Sequence, residues 1–124
     1  MTDFEIGYIM GLIVGEGSFT GDCKKGWLSI KLHMNDPAPL LEVQRLLGGR
    51  IYGPYHNNGR HFLHYKLYGR ELVEAFPLFK EYLPQSRKRD QFYAWLEKYY
   101  IYFNYCVQRA RGLYRIHTAR IYSA

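Results

Sequence analysis

The sequence predicts an α+β domain in which two β-hairpins build one four-stranded antiparallel sheet. Three observations predict it. The chain opens on a capped, apolar helical segment; two later segments alternate with period two around turn residues; and helical segments follow each hairpin. The order is helix, hairpin, helix, hairpin, helix, helix.

Thr2-Asp3-Phe4-Glu5 fits a capping box, with Thr2 as N-cap and Glu5 reaching back. Ile6, Ile9, Met10, Leu12, Ile13 and Val14 follow, and Gly17 supplies the stop. A helix apolar on nearly every side is expected to be buried centrally. Residues 18–24 and 27–35 read as two strands around a Lys25-Gly26 turn. In the second, Leu28, Ile30, Leu32 and Met34 take one face, and Ser29, Lys31, His33 and Asn35 the other. Pro37 and Pro39 end the strand and open a helix, with Asp36 as its expected cap; it carries Leu40, Leu41, Val43, Leu46 and Leu47 up to Gly48-Gly49. A second hairpin runs over 50–56, an Asn58-Gly59 loop, and 60–68. Its outward parity shows Arg50, Tyr52 and His56 on one strand, and Arg60, His64 and Lys66 on its partner. Residues 69–82 look helical with a break at Pro77. Ser86 opens a last long helix with Phe92, Trp95, Leu96, Tyr99 and Phe103 at i, i+3, i+4, i+7 and i+11.

A chain of 124 residues with 48% hydrophobic content is enough for one folded domain with a packed core. The 13 tyrosines cannot all be buried with satisfied hydroxyls, so many belong at surfaces or interfaces. No apolar run approaches the ~18 residues of a membrane span, and Met1-Thr2-Asp3 lacks the basic start of a signal peptide. An intracellular protein without a membrane partner is expected. Cys23 and Cys106 make no disulfide framework, and two cysteines need histidine to build a zinc site. Of the net charge of +6, five charges follow Glu97: Lys98, Arg109, Arg111, Arg115 and Arg120, with no acid among them. A basic, Tyr-rich tail over 104–124 reads as nucleic-acid contact or membrane surface, with a solvated terminal segment as the alternative.

Gly7, Gly11 and Gly15 recur every four residues and share one face of the first helix. Each costs about 0.8–1 kcal/mol against alanine in a helix interior. Close packing against the molecule's own sheet explains such a row; so does contact with the same helix of a second subunit. Glu16 sits at the C-terminal end of that helix, where free carbonyls already concentrate negative charge. An acid so placed suggests a compensating cation, and carboxylate and carbonyl oxygens are ligands Mg²⁺ accepts; an ordinary surface glutamate is the alternative.

The run Ile9-Met10-Gly11-Leu12-Ile13-Val14-Gly15-Glu16-Gly17, followed by Ser18-Phe19, resembles the LAGLIDADG motif of homing endonucleases. Gly11 and Gly15 match the family's small helix-packing positions, Glu16 its metal-binding acid, and Gly17 its terminal glycine. The order of elements also matches the family's αββαββα core, over about residues 4–103. Leu47-Gly48-Gly49-Arg50-Ile51-Tyr52 and Lys88-Arg89-Asp90-Gln91 are further echoes. Val14 stands where the family often has an acid that is not the metal ligand.

The resemblance implies an endonuclease domain over 1–103, with 104–124 as its extension. It implies a homodimer, the motif helices packing through Gly7, Gly11, Leu12 and Gly15. Each helix would bring Glu16, with the Gly15 carbonyl, to hold Mg²⁺ (or Mn²⁺ or Ca²⁺) at a scissile phosphate of double-stranded DNA. The sheet would lie in the major groove, reading a near-palindromic target through Ser29, Lys31, His33, Arg50, Tyr52, His56, Arg60, His64 and Lys66, with Lys24 and Lys25 alongside. Lys88 falls where the family carries a basic residue near the cleavage site, a solvated basic turn being the alternative. The family's water-positioning residue on the second strand, frequently Gln, has Asn35 as its candidate here, beside Asp36. An intron-encoded, free-standing enzyme fits this pattern. A fold relative without nuclease activity, acting on intron RNA as a maturase or as a regulator, is the rival reading.

Other constellations carry less. His61 and His64 point to opposite faces of a strand and cannot share one ion. No Gly-Lys-Ser/Thr follows the glycines around Glu16, so they form no phosphate loop.

Overall fold

The computed structural model describes residues 1–111. Its elements are α1 (Asp3–Glu16), β1 (Gly17–Gly21), β2 (Gly26–His33), α2 (Ala38–Leu47), β3 (Arg50–Asn57), β4 (Arg60–Leu67), α3 (Gly69–Tyr82), α4 (Arg87–Lys98) and α5 (Tyr100–Ala110). The two hairpins join into one antiparallel sheet of order β1-β2-β4-β3. The helices cover one face of the sheet. The expected α+β architecture is the one observed.

The capping box forms: Glu5 N donates to Thr2 Oγ1 at 3.1 Å, and Thr2 N to Glu5 Oε1 at 2.9 Å. Central burial of α1 does not hold. Ile9, Met10 and Ile13 are buried, whereas Gly7, Tyr8, Gly11, Gly15 and Glu16 are exposed. A Cβ built on Gly7, Gly11 or Gly15 meets nothing within 4 Å, so the chain's own sheet does not account for this row. Gly17 is the crowded glycine, where a Cβ would lie 2.7 Å from the Ile13 carbonyl. Its extended backbone (φ −78°, ψ 163°) leads from helix into β1 without an intervening loop.

The first turn occupies residues 22–25, earlier than expected, because Asp22 closes it. Its carboxylate accepts from Lys24 N at 2.8 Å and Lys25 N at 2.7 Å, leaving Gly21 paired with Gly26. Asp36 does not cap α2. Its N–H closes a tight turn on the His33 carbonyl at 2.9 Å, and Pro37 takes the N-cap position without a side-chain bond. The β3–β4 turn forms at Asn58-Gly59, both with positive φ (52° and 77°), as the type I′ geometry of such hairpins requires.

A register shift between Tyr52 and Tyr55, at Gly53-Pro54, corrects the parity of β3. Arg50 and Tyr52 pair with Lys66 and His64, but beyond the bulge Tyr55 pairs with Phe62 and His56 with His61. An extra residue reverses the alternation. His56 therefore shares a face with His61, Leu63 and Tyr65, not the outward one, and Tyr55 and Asn57 point outward in its place.

Helix α3 runs through Pro77 without the expected break, held by buried Leu72, Ala75, Phe76 and Phe79. The expected long last helix is two helices. Tyr99 leaves helical geometry (φ −104°, ψ 25°) at their junction, and its hydroxyl donates to the Asp22 carbonyl at 2.7 Å. Phe19, Phe76, Phe79, Phe92, Trp95 and Phe103 form a contiguous aromatic core between helices and sheet, with ring centroids 4.6–6.3 Å apart. Among the described residues, no helix is long and apolar enough to cross a membrane. Arg115 and Arg120 lie outside the described residues.

Candidate nucleic-acid interface and catalytic acid

Strand register defines the sheet face that the helices leave uncovered. It carries Ser18 and Thr20 from β1; Trp27, Ser29, Lys31 and His33 from β2; Arg60, Phe62, His64 and Lys66 from β4; and Arg50, Tyr52, Tyr55 and Asn57 from β3. Lys31, Arg50, Arg60 and Lys66 are its cations, and no carboxylate stands among them. Such a face attracts a polyanion.

Aromatic rings separate the charges. The Lys66 ammonium lies 4.5 Å from the Trp27 ring centroid, that of Lys31 lies 5.6 Å from Phe62, and Tyr55 stacks beside Phe62 at 5.6 Å. These contacts hold two flexible lysines over rigid rings, which reduces the entropy lost on binding. Trp27 shares the parity of Ser29 and Lys31, so the sequence contained that signal. The bulge hides Tyr55 and Asn57 from simple alternation, and Phe62 is an apolar ring on the outward face.

His64 sits mid-face. Its Nε2 and Ser29 Oγ are 2.6 Å apart, and Ser29 is only 6% exposed despite its outward parity. Burial, reinforced by the Lys31 and Lys66 ammonium groups, lowers the His64 pKa to about 4. The imidazole is therefore neutral at pH 7, with one ring nitrogen engaged by Ser29.

Glu16 is exposed at the end of α1, next to the first ladder pair, Gly17–Ile30. Lys31 follows Ile30 on β2 and faces outward, across from His64. Asn35 lies two residues beyond the end of β2, in the turn after His33, where its N–H donates to His33 Nδ1 at 3.1 Å. Lys24 and Lys25 sit in the turn at the opposite end of the hairpin. Lys88 does come to the end of α1, where its ammonium donates to the Gly17 carbonyl. The start of α4 is held there twice more: Gln91 Oε1 accepts from Phe19 N at 3.0 Å, and Ser86 Oγ accepts from Arg89 N at 3.2 Å.

The donor set at Glu16 suits a hard cation. One exposed carboxylate adjoins the last carbonyls of a helix, which lack intrahelical partners. Among the described residues, no group of three or more His, Cys, Asp or Glu gathers to enclose an ion. Mg²⁺ commonly keeps several waters and takes only one or two protein carboxylates, with phosphate oxygens completing its shell. The residues fit that group.

No protein-family model matches the sequence, and no curated protein sequence matches it significantly. Solved structures do match. The I-LtrWI LAGLIDADG homing endonuclease bound to target DNA is 18% identical with a TM-score of 0.66, over 90% of this chain and 43% of that one. The archaeal intron-encoded homing endonuclease I-Vdi141I, complexed with DNA, is 24% identical with a TM-score of 0.69, over 90% and 80%. I-SmaMI, bound to uncleaved target DNA in the presence of calcium ions, is 20% identical with a TM-score of 0.62, over 85% and 42%. The chain spans about two fifths of the length of I-LtrWI and I-SmaMI. At these identities the likeness is one of architecture, and it agrees with the motif resemblance in α1: the chain has the LAGLIDADG homing-endonuclease fold.

Proposed function

We propose that this chain is a site-specific double-strand DNA endonuclease that works as a homodimer on a near-palindromic target. One observation carries the reading. Helix α1 ends in an exposed acid beside a carboxylate-free cationic sheet face, and its glycine row is bare in the single chain. Three helix-interior glycines with no neighbour cost stability unless another backbone lies against them. A second α1 supplies that backbone, and twofold symmetry then sets two Glu16 carboxylates at one axis, one for each strand. The DNA named with the structural neighbours supports the ligand class.

Glu16 and the Gly15 carbonyl would hold Mg²⁺. When bound, the ion supplies charge stabilisation at the phosphate and a more acidic water. The chain's own residues do the rest. The outer face binds and orients the duplex. Lys88, fixed on the Gly17 carbonyl, keeps a positive charge beside the acid for the developing phosphate charge. Lys31, next to Ile30 of the first ladder pair and on the outer face, would add a second cation.

The test is incubation with a random-insert DNA library and Mg²⁺ at low salt, followed by sequencing of the ends. Cleavage at one near-palindromic site is expected. Salt-sensitive binding without cleavage of any member would overturn the nuclease reading and make RNA the next ligand to try.

A further inference from the structure

The tip of the β3–β4 hairpin carries an arrangement that neither the cationic face nor the acid at α1 uses. Beyond the Gly53-Pro54 bulge, His56 lies directly across from His61, on the side of the sheet opposite Tyr55, Asn57, Arg60 and Phe62. The two Nδ1 atoms are 2.6 Å apart, with ring centroids at 4.8 Å and planes at 60°. Both side chains are exposed. The backbone beneath them is fixed: the Asn58-Gly59 turn closes the hairpin between them, and the His61 carbonyl accepts from Met34 N at 2.9 Å.

Two neutral imidazoles can face each other through Nδ1 only while one ring holds a proton there for the other to accept. A metal ion in place of that proton uses both lone pairs. Zinc–imidazole bonds of about 2.0–2.1 Å in tetrahedral geometry put the nitrogens roughly 3.4 Å apart. The rings would part by less than about 1 Å, which exposed side chains accommodate by small rotations. A donor pair of two imidazoles suits copper, zinc or nickel rather than magnesium or calcium. Among the described residues no third His, Cys, Asp or Glu joins them, so water or an added ligand completes the shell.

We propose that His56 and His61 form a chelating site for a divalent transition ion of the zinc and copper class, separate from the hard-cation site at Glu16. The ion bridges β3 and β4 in the half of the hairpin where residues 53–61 are all exposed. It fixes the strands whose other side carries Tyr55, Asn57 and Arg60. The site stands on the two histidines and does not require the endonuclease reading.

Zn²⁺ titrated into the full chain carrying Glu16→Gln, which removes the other metal acid, tests it by calorimetry and by the imidazole proton signals. One ion per chain is expected, moving the His56 and His61 signals ahead of those of His33, His64 and His117. His56→Ala and His61→Ala should each weaken binding by about tenfold or more, the scale of losing one ligand from a chelate. His33→Ala should leave it unchanged. Circular dichroism of the variants reports that the fold is kept. Unchanged affinity in both folded His56 and His61 variants, binding lost on His33→Ala or His117→Ala instead, or no binding at millimolar Zn²⁺ would overturn the proposal.

Discussion

Glu16 combines exposure, a helix C-terminus and adjacency to the first strand pair, so its carboxylate has little structural work in the single chain. Glu16→Gln is therefore expected to leave the thermal unfolding midpoint and duplex affinity near wild type. His64 behaves differently. Its folded pKa of about 4 lies below the ordinary 6.5, so between those values the unfolded chain binds the extra proton. Stability contributed by the neutral imidazole is present above about pH 6.5 and is lost as pH falls towards 4. An NMR titration should find His64 neutral through pH 5, and Lys31→Met should raise its pKa, since Lys31 is one of the charges that lower it. A midpoint near 6.5 in the wild type would contradict this environment. At this scale the sequence was legible where a signal is local. Thr2 and Glu5 specify their own cap, and Asn58-Gly59 its own turn. The contact of Lys88 with Gly17 joins residues 71 apart and has no local signature.

Among the elements, α1 and the aromatic layer under β1 carry the clearest expectations. Gly11→Leu enters open space in the single chain and exchanges a poor helix former for a good one, worth roughly 0.6–1 kcal/mol to the helix. Its side chain would block a second α1. The variant should keep its helical content and sediment as a monomer where the wild type sediments as a dimer; a dimeric variant would remove α1 from the interface. Phe92 is fully buried, with its ring centroid 5.0 Å from Phe19 and 5.8 Å from Phe79. Phe92→Ala should cost about 3–5 kcal/mol in urea denaturation, a large part of a small domain's stability. Element types followed from periodicity, and breaks within elements did not. The apolar spacing through Phe92, Trp95, Tyr99 and Phe103 persists across the kink at Tyr99, since both helices face the same core. Pro77 breaks nothing because buried contacts on both sides of it hold α3 together. The bulge at Gly53-Pro54 sent His56 to the other face, and alternation read along β3 alone cannot detect an inserted residue.

For the whole molecule, the sheet face is an electrostatic surface before it is a code. Binding through phosphates should weaken linearly with log salt, and the Lys31→Ala, Lys66→Ala double variant should reduce that slope by about 2 per chain. An unchanged slope would move the phosphate contacts off this face. The architecture was legible because six of its segments announce their type and order; the proposed symmetry rests on a glycine row with no explanation inside the described residues. The central claim is that Glu16 holds the metal that cuts DNA. Its most direct measurement is single-turnover cleavage of the selected duplex in Mg²⁺ by wild type and by Glu16→Gln at equal DNA occupancy. The expected result is cutting of both strands by the wild type and none by the bound variant. Cutting by Glu16→Gln at the wild-type rate would contradict the account.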